Sequence, residues 1–335
     1  MVQMVNFDEK DFLDRAKHIY SQRTYIEELA DKACACGIQN VLICSVGGSQ
    51  ATIAPFGFMI DRMSVLPVRS VQAADLISAG CNMVGPGTLV LMGSKSGDTT
   101  ETVKAAQWLH ERGAKIFSST GPDASPLASL SDYAFHFGNG RPLELPFYFF
   151  VGKILANRGE FKDYDNFASA LEMLGEALNA VRKQFDERAR AYAHAYCAEP
   201  YHIWVASDDL WPVCYSYAMC VLEESLWMRT KSVTSAEFFH GTLELLGPSV
   251  PLTLLIGEGP TRELDLRVAR FAASHTDKLT IIDAADFVLP TVLERWRVLL
   301  GPVLINAALQ RISKNLEVAC QHSLDTHRYY RKEAY

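Results

Sequence analysis

The sequence lacks the features that would mark a membrane protein, a secreted protein or a general nucleic-acid binder. No apolar run reaches the roughly 18 residues that a membrane-spanning helix needs. The first residues, MVQMVNFDEKDF, have neither the basic start nor the apolar middle of a signal peptide. The net charge of −7 and the pI of about 5.7 leave no basic excess for binding phosphate backbones. We therefore expect a cytoplasmic protein with no nucleic-acid partner and no membrane partner.

Signals of a metal site or of a nucleotide-binding loop are missing as well. The eight cysteines are scattered, and Cys44, Cys214 and Cys220 lie in apolar segments, which is typical of buried, reduced thiols. Cys34 and Cys36 form a C-x-C pair, but no second Cys/His pair at zinc spacing accompanies it. The phosphate loop G-x-x-x-x-G-K-[ST] and the dinucleotide loop G-x-G-x-x-G are both absent. We therefore predict neither a metal nor a cofactor.

What the sequence does contain is an alternation of apolar strand patterns with helical patterns. After a helix over residues 8–35, strands are predicted at 41–46, 65–68, 88–93 and 114–120, with helices at 49–62, 98–112 and 142–158. Such alternation indicates an α/β fold, in which a parallel sheet is covered by helices on both faces. Residues 160–197 are polar, periodic and free of proline, so we expect a helical connection there.

The strand patterns restart in the second part of the chain, at residues 201–207, 251–257 and 278–283. The runs VLICSV and HIWVAS are roughly 160 residues apart, and so are VLMG and LLIG. This repetition predicts two similar α/β halves. The predicted organisation is an N-terminal helix (1–35), a first domain (36–159), a helical connection (160–198) and a second domain with a C-terminal segment (199–335).

Glycine and small hydroxyl residues follow two strand patterns of the first half. GGS (47–49) comes after one strand pattern, and SKSGDT (94–99) comes after another. In an open α/β sheet, ligands bind beyond the carboxyl ends of the strands. Glycines let the backbone approach a ligand, and free N–H groups at a helix start favour an anion. We therefore predict a phosphate site whose candidate residues are Gly47, Gly48, Ser49, Ser94, Lys95, Ser96 and Thr99.

Two other interpretations of these loops stay open at the level of sequence. Serine and threonine are common helix N-caps, so each loop alone could simply start a helix. The run GGSQA (47–51) also resembles the G-x-S-x-G nucleophile elbow of a hydrolase, with alanine last. A hydrolase would leave the second hydroxyl loop unexplained. The matching segment of the second half, LLIGEGPTREL, lacks serines, which favours one phosphate site per chain.

An uncharged stretch in the second half ends in two acids. Residues 211–222 carry no charged side chain, which predicts a buried helix, and Glu223 and Glu224 follow it. An acid at such a position is either a solvated helix end or a functional group, because burial suits a carboxyl group to proton transfer. His240 lies beside Gly241 in a predicted loop. A histidine in that setting is more often a surface residue than a catalyst, so its role stays open.

Taken together, these residues resemble the two-domain form of the SIS (sugar isomerase) family, over nearly all of residues 36–335. The chain is similar to the isomerase half of glucosamine-6-phosphate synthase and still more to fructosamine-6-phosphate deglycases. Family motifs that bind the sugar phosphate, G-[TG]-S and S-x-S-G-[ED]-T, correspond to residues 47–49 and 94–99. The family's glutamate base and its histidine, sixteen residues later and followed by glycine, correspond to Glu224 and His240. The last residues, HSLDTHRYYRKEAY, resemble the deglycase C-terminus.

The resemblance implies a fold, an activity and an assembly. The fold is α/β, with two tandem flavodoxin-like SIS subdomains whose parallel sheets are covered by helices. The implied activity is that of a deglycase, which converts a 6-phosphofructosyl amine into glucose 6-phosphate and a free amine or amino acid. Glu224 would be the base, and His240 would assist ring opening. Since the family contributes this histidine across a dimer interface, we expect a homodimer or a higher homo-oligomer.

Departures from the family pattern separate the remaining alternatives. The synthase has a lysine in a C-terminal L-x-K-S motif, which Lys332 does not match, and residue 2 is Val rather than a catalytic cysteine, so we expect no ammonia-channelling synthesis. An amino-sugar or aldose–ketose phosphate isomerase or deaminase stays open. A non-catalytic sugar-phosphate sensor is less favoured, because family regulators carry a DNA-binding domain. Residues 1–36 hold five Lys/Arg against seven Asp/Glu, and a sensor would need neither Glu224 nor His240.

Overall fold

Two parallel sheets, one in each of two units, organise the chain. The computed structural model describes residues 4–138, 144–330 and 332–333. One unit spans Lys10–Gly175, and the other joins the N-terminal segment up to Glu9 with the chain from Glu176 onward. The four-part division predicted from the sequence stays a prediction. Within the described ranges, no helix combines the length and the apolar character that crossing a bilayer requires.

The first unit holds a five-stranded sheet. Its strands are β1 (Asn40–Ser45), β2 (Val68–Gln72), β3 (Thr88–Ser94), β4 (Lys115–Thr120) and β5 (Tyr133–His136). Its helices are α1 (Glu9–Tyr20), α2 (Arg23–Ala35), α3 (Gly47–Met63), α4 (Ala73–Ala79), α5 (Thr100–His110), α6 (Pro126–Ser129), α7 (Glu144–Asn157) and α8 (Tyr164–Ala170). All strands pair in parallel in the order β2-β1-β3-β4-β5, which is the flavodoxin-like order. The strand order reverses at β1, because β2 lies on one side of it and β3 on the other.

Both faces of the first sheet are covered by helices. Leu42 and Val90 belong to a buried cluster that includes side chains of α4 and α5. Their neighbours Val41 and Leu89 point to the opposite face, where they line a small apolar cavity with residues of α3 and α7. Burial on both faces explains why the strands are continuous apolar runs rather than alternating ones.

The second unit holds a four-stranded parallel sheet. Its strands are β6 (His202–Ala206), β7 (Thr230–Thr234), β8 (Leu252–Ile256) and β9 (Leu279–Asp283). Its helices are α9 (Leu174–Tyr196), α10 (Trp211–Ser216), α11 (Ser235–Phe238), α12 (Arg262–Ala272), α13 (Thr291–Glu294) and α14 (Arg297–Ala319). The strand order β7-β6-β8-β9 repeats the order β2-β1-β3-β4 of the first sheet. The predicted pair of similar α/β halves is therefore confirmed.

Several element boundaries differ from those predicted. The second strand lies at Val68–Gln72 rather than at 65–68. Pro67 has no N–H to donate to the ladder of hydrogen bonds, so a regular strand begins only after it. The carbonyl of Pro67 still accepts from Val41 N–H at 2.9 Å. The strand β5 was not predicted, since four residues are too few to reveal a pattern. The predicted helices over 8–35 and 160–197 are each interrupted. Residues 142 and 143 of the helix predicted over 142–158 lie outside the described residues.

Candidate active site

The first predicted phosphate loop turns directly from β1 into α3. Gly47 begins the helix with φ +51°, a left-handed conformation that favours glycine. Gly48 and the half-buried Ser49 complete the first turn. The N-cap residue is Val46, whose side chain cannot bond to the free N–H groups of that turn. No serine side chain therefore caps the start of α3, and the N–H groups of its first turn are available to an anion.

The second predicted phosphate loop closes on itself between β3 and α5. Ser94 Oγ accepts a hydrogen bond from Gly97 N–H at 3.0 Å and lies 3.3 Å from Thr99 Oγ1. Thr99 occupies the N-cap position of α5 but makes no side-chain cap. Ser94 is only 2% exposed, so its hydroxyl stabilises the loop from the buried side. Ser96 and Thr99 are half-buried, and Lys95 is exposed. The interpretation of these hydroxyls as mere helix caps is thereby weakened for the second loop too.

Gly97 fixes the second loop against its neighbours. Its φ is +72°, and a Cβ added here would lie 2.3 Å from Ser125 Oγ and 2.4 Å from Ser125 Cβ. The carbonyl of Gly97 accepts from Leu127 N–H at 3.0 Å, and the carbonyl of Lys95 accepts from Gly121 N–H at 3.2 Å. Glycine at position 97 is therefore required both by the backbone conformation and by the close packing of Ser125.

The two loops leave the sheet side by side. The strands β1 and β3 are neighbours at the position where the strand order reverses, which is the usual ligand site of such sheets. Ser45 Oγ joins the two strand ends, because it accepts from Gly93 N–H and donates to Gly93 C=O, both at 2.9 Å. Sequence reasoning missed Ser45, although a serine ending the apolar run VLICS was a readable signal. Gly93 in turn leaves room for Ile53 of α3, which a Cβ would approach within 2.8 Å.

The corresponding edge of the second sheet holds a carboxylate of the chain itself. Asp265, on α12 and 1% exposed, accepts from Ser235 Oγ at 2.5 Å and from Ser207 and Gly257 N–H. These donors follow β7, β6 and β8, so the hydroxyls at this edge are already satisfied. Burial raises the pKa of Asp265 to about 6. The two halves are thus chemically different at equivalent places.

Glu224 follows an irregular helix. After α10 the chain continues as a π-helix over Tyr217–Glu223, a rare form that is frequent at functional sites. The N–H of Glu224 donates to the Met219 carbonyl at 3.0 Å, five residues back, which is the π-helical pattern. The side chain of Glu224 is 38% exposed in the single chain. The uncharged stretch before it is only partly buried, so the carboxylate leaves the helix toward solvent instead of being buried with it.

The two neighbouring acids have different partners. Glu223 accepts a hydrogen bond from Thr230 Oγ1 at the start of β7. Glu224 Oε1 lies 3.4 Å from Nε2 of His327, a residue of the C-terminal segment. Sequence reasoning missed His327, because a contact between residues about a hundred positions apart leaves no local pattern in the sequence.

His240 follows α11 and is exposed. Among the described residues, neither a hydrogen bond nor an ion pair joins it to Glu224. The structure of one chain therefore does not bring the two predicted catalytic residues into contact.

The cysteines differ in their burial. All eight are free thiols, and burial raises the pKa of the Cys44 thiol to about 12. Cys44 and Cys214 are buried as expected, whereas Cys220 is only partly buried. In the part of the chain that the structure describes, no three His, Cys, Asp or Glu side chains are grouped to hold a metal ion.

Known proteins resemble this chain over most of its length. It is 28% identical over 323 residues to the fructosamine deglycase FrlB of Bacillus subtilis, covering 93% of this chain and 96% of that protein. It is 23% identical over 317 residues to a fructoselysine 6-phosphate deglycase of Escherichia coli O157:H7, with 92% and 88% covered. The crystal structure of a candidate phosphosugar isomerase of Bacillus subtilis matches with a TM-score of 0.88 at 27% identity, covering 94% of this chain and 100% of that one. Residues 38–150 also match the family described as SIS domain, and this part of the chain is therefore a SIS domain.

Proposed function

We propose that the protein is a deglycase, which cleaves a 6-phosphofructosyl amine into glucose 6-phosphate and a free amine or amino acid. The observation that carries this proposal is the pair of glycine- and hydroxyl-rich loops at the carboxyl ends of β1 and β3. Its support comes from the likeness, over 93% and 92% of the chain, to proteins named as deglycases of fructosamine and of fructoselysine 6-phosphate. We place the enzyme in the cytoplasm, and it acts without a metal or a cofactor.

The two loops anchor the phosphate group. The proposed ligands are the first-turn amides of α3 at Gly47 and Gly48 and the hydroxyls of Ser49, Ser96 and Thr99. Ser94 stabilises the second loop, because its hydroxyl accepts a hydrogen bond from Gly97 N–H. Lys95 is exposed and adds positive charge at the mouth of the site. Anchoring the phosphate in this way leaves the C1–C2 end of the sugar free to react.

The reaction needs one base, one ring-opening acid and water. His240 transfers a proton to the ring oxygen while the C2 hydroxyl loses its proton to solvent, so that the ring opens to the C2 ketone. Glu224 then removes a proton from C1 and returns it to C2, while the C2 oxygen gains a proton from solvent and the amine nitrogen loses one, so that the double bond moves from C2=O to C1=N. Water then adds to the C1 imine, and the C1–N bond breaks to release the amine and the aldehyde of glucose 6-phosphate. No electrons are gained or lost overall, so the reaction requires no redox partner.

The separation of His240 from Glu224 within one chain favours a site completed by a second copy. We propose a homodimer, or a higher homo-oligomer, in which His240 serves the Glu224 of its partner. Mixing Glu224→Gln with His240→Ala subunits tests this, because each mixed dimer would then hold one intact site. Random exchange should restore roughly a quarter of the parental activity, given two equivalent sites per symmetric dimer. A mixture as inactive as its two components would place both residues in the same chain's site.

An isomerase or deaminase of phosphorylated sugars is the second candidate. The likeness to a candidate phosphosugar isomerase, at a TM-score of 0.88, supports it. An isomerase shares the ring opening and the proton transfer but keeps the substituent on its product, whereas a deaminase releases ammonia from an amino-sugar phosphate. Incubating the purified protein with a panel of 6-phosphofructosyl amino acids, and separately with simple ketose and amino-sugar phosphates, separates the two. Amine released only from the conjugates supports the deglycase.

A further inference from the structure

The C-terminal tail, residues 322–330, packs against the turn that carries Glu224. The ring of Trp227 contacts two tail residues: the centre of the His322 ring lies 4.4 Å away in an edge-on arrangement, and the Arg328 guanidinium lies 4.0 Å from the Trp227 ring centre. Trp227, three residues after Glu224, has φ +57°, a left-handed conformation that is strained for an aromatic residue. Two separate contacts therefore fix the tail beside the proposed base.

This packing brings the ring of His327 to the carboxylate of Glu224. His327 Nδ1 lies 3.0 Å from the carbonyl oxygen of Asp325, and its Nε2 lies 3.4 Å from Glu224 Oε1. A carbonyl oxygen can only accept, so Nδ1 carries a hydrogen and donates it. Nε2, which faces the carboxylate, is then attractive only when a proton lies between the two groups. Nε2 and Glu224 Oε1 therefore form an ion pair when the ring is protonated.

Two neighbouring charged side chains have other partners. The neighbouring carboxylate of Glu223 is engaged by Thr230 on the other side of the turn. The remaining cation of the tail that faces the turn, Arg328, lies over the Trp227 ring instead of pairing with Glu224. Tyr330 packs at 5.3 Å from the His327 ring and limits its rotation. His327 is thus held in one orientation, with its Nε2 directed at Glu224.

We propose that His327 is a positioning residue for Glu224. By its contact with the carboxylate, it fixes the rotamer of a side chain that is 38% exposed. This inference rests on the proposed role of Glu224 and assigns to the tail a part in the reaction rather than in binding the substrate.

The test compares three variants with fructoselysine 6-phosphate as the substrate. His327→Leu should lower kcat roughly ten- to a hundredfold, as is common when the partner that orients an active group is removed, and leave KM within about twofold. His327→Gln should keep most of the parental kcat, because its amide nitrogen can still donate at the position of Nε2. His322→Leu is the matched control, since it removes another tail imidazole that contacts Trp227 but not Glu224.

Three results would overturn the proposal. A parental kcat in His327→Leu would mean that the contact between His327 and Glu224 does not contribute to catalysis. Equal losses in His322→Leu and His327→Leu would mean that only the packing of the tail matters. A raised KM at constant kcat would make the tail a substrate-binding element. Glu224→Gln, measured in parallel, keeps the questions apart: full activity there would refute the proposed base itself, whatever His327 does.

Discussion

Replacing Gly97 by alanine is the sharpest perturbation of the proposed phosphate site. The substitution adds a single methyl group, yet two features of the structure oppose it. The φ of +72° belongs to the left-handed region, and the new Cβ would lie 2.3 Å from Ser125 Oγ and 2.4 Å from Ser125 Cβ. Since Ser125 caps α6 by accepting from Ala128 N–H, it cannot move freely out of the way. The loop of residues 94–99 must therefore move to make room for the added methyl group.

The expected loss of stability follows from the left-handed conformation and from the overlap with Ser125. A left-handed alanine costs about 1–2 kcal/mol, and forcing a methyl group into a filled space costs about 1–3 kcal/mol. If the loop keeps its conformation, the unfolding free energy should fall by the sum of these terms, roughly 2–5 kcal/mol. Otherwise the loop should be displaced. Displacement would break the hydrogen bond from Gly97 N–H to Ser94 Oγ and move the donors of the phosphate site. Losing one hydrogen bond to a charged group, about 1–3 kcal/mol, corresponds to roughly a 5- to 150-fold weaker affinity.

The assay pairs thermal unfolding with calorimetric titration of glucose 6-phosphate. Gly37→Ala is the matched control, because Gly37 has a similar φ of +77° but no atom within 4 Å of the added Cβ. It should lose only the conformational term and bind as the parent does. The double variant Gly97→Ala/Ser125→Gly should recover part of the loss, because the contact is removed. Equal stability of Gly97→Ala and Gly37→Ala, together with parental binding by both, would refute this reasoning.

Three further predictions concern other residues. Ser96→Ala should weaken glucose 6-phosphate binding roughly 5- to 150-fold by titration, and unchanged affinity would contradict a hydroxyl anchor. Glu224→Gln should lower kcat by at least roughly 10²-fold with substrate binding retained, whereas Glu223→Gln, whose side chain pairs with Thr230, should stay near parental in steady-state assays. The raised pKa of Asp265, about 6 against 3.8, means that the folded state holds a proton which the unfolded chain releases. Unfolding free energy should therefore fall as pH rises from about 4 to 6, by up to about 3 kcal/mol, and urea titrations of Asp265→Asn should lack this fall.

The strand–helix order was predictable because a parallel sheet buried on both faces forces each strand to be an apolar run. The runs VLICS and LVLMG are buried throughout, and both were found at their predicted places. The second strand was misplaced, since VLPV looks like a strand although Pro67 cannot donate to the ladder. The two hydroxyl loops were predictable for a related reason: residues that follow such runs lie at the ligand edge of the sheet.

What the sequence could not reveal depends on contacts between distant residues. The π-helix before Glu224 arises from hydrogen bonds five residues apart, which no local propensity specifies. Asp265 looks like an ordinary acid in the first turn of a helix, and only the fold surrounds it with Ser207 and Ser235. His327 meets Glu224 only because the tail returns over Trp227.

The most direct test of the proposed function is the stoichiometry of products from fructoselysine 6-phosphate. The purified protein should release glucose 6-phosphate and lysine in equal amounts, at a rate unchanged by a chelator, and Glu224→Gln should release neither. A coupled glucose 6-phosphate assay and amino-acid analysis of the same samples measure both products. Interconversion of simple sugar phosphates, with no amine released from any 6-phosphofructosyl amino acid, would contradict the deglycase and favour the isomerase.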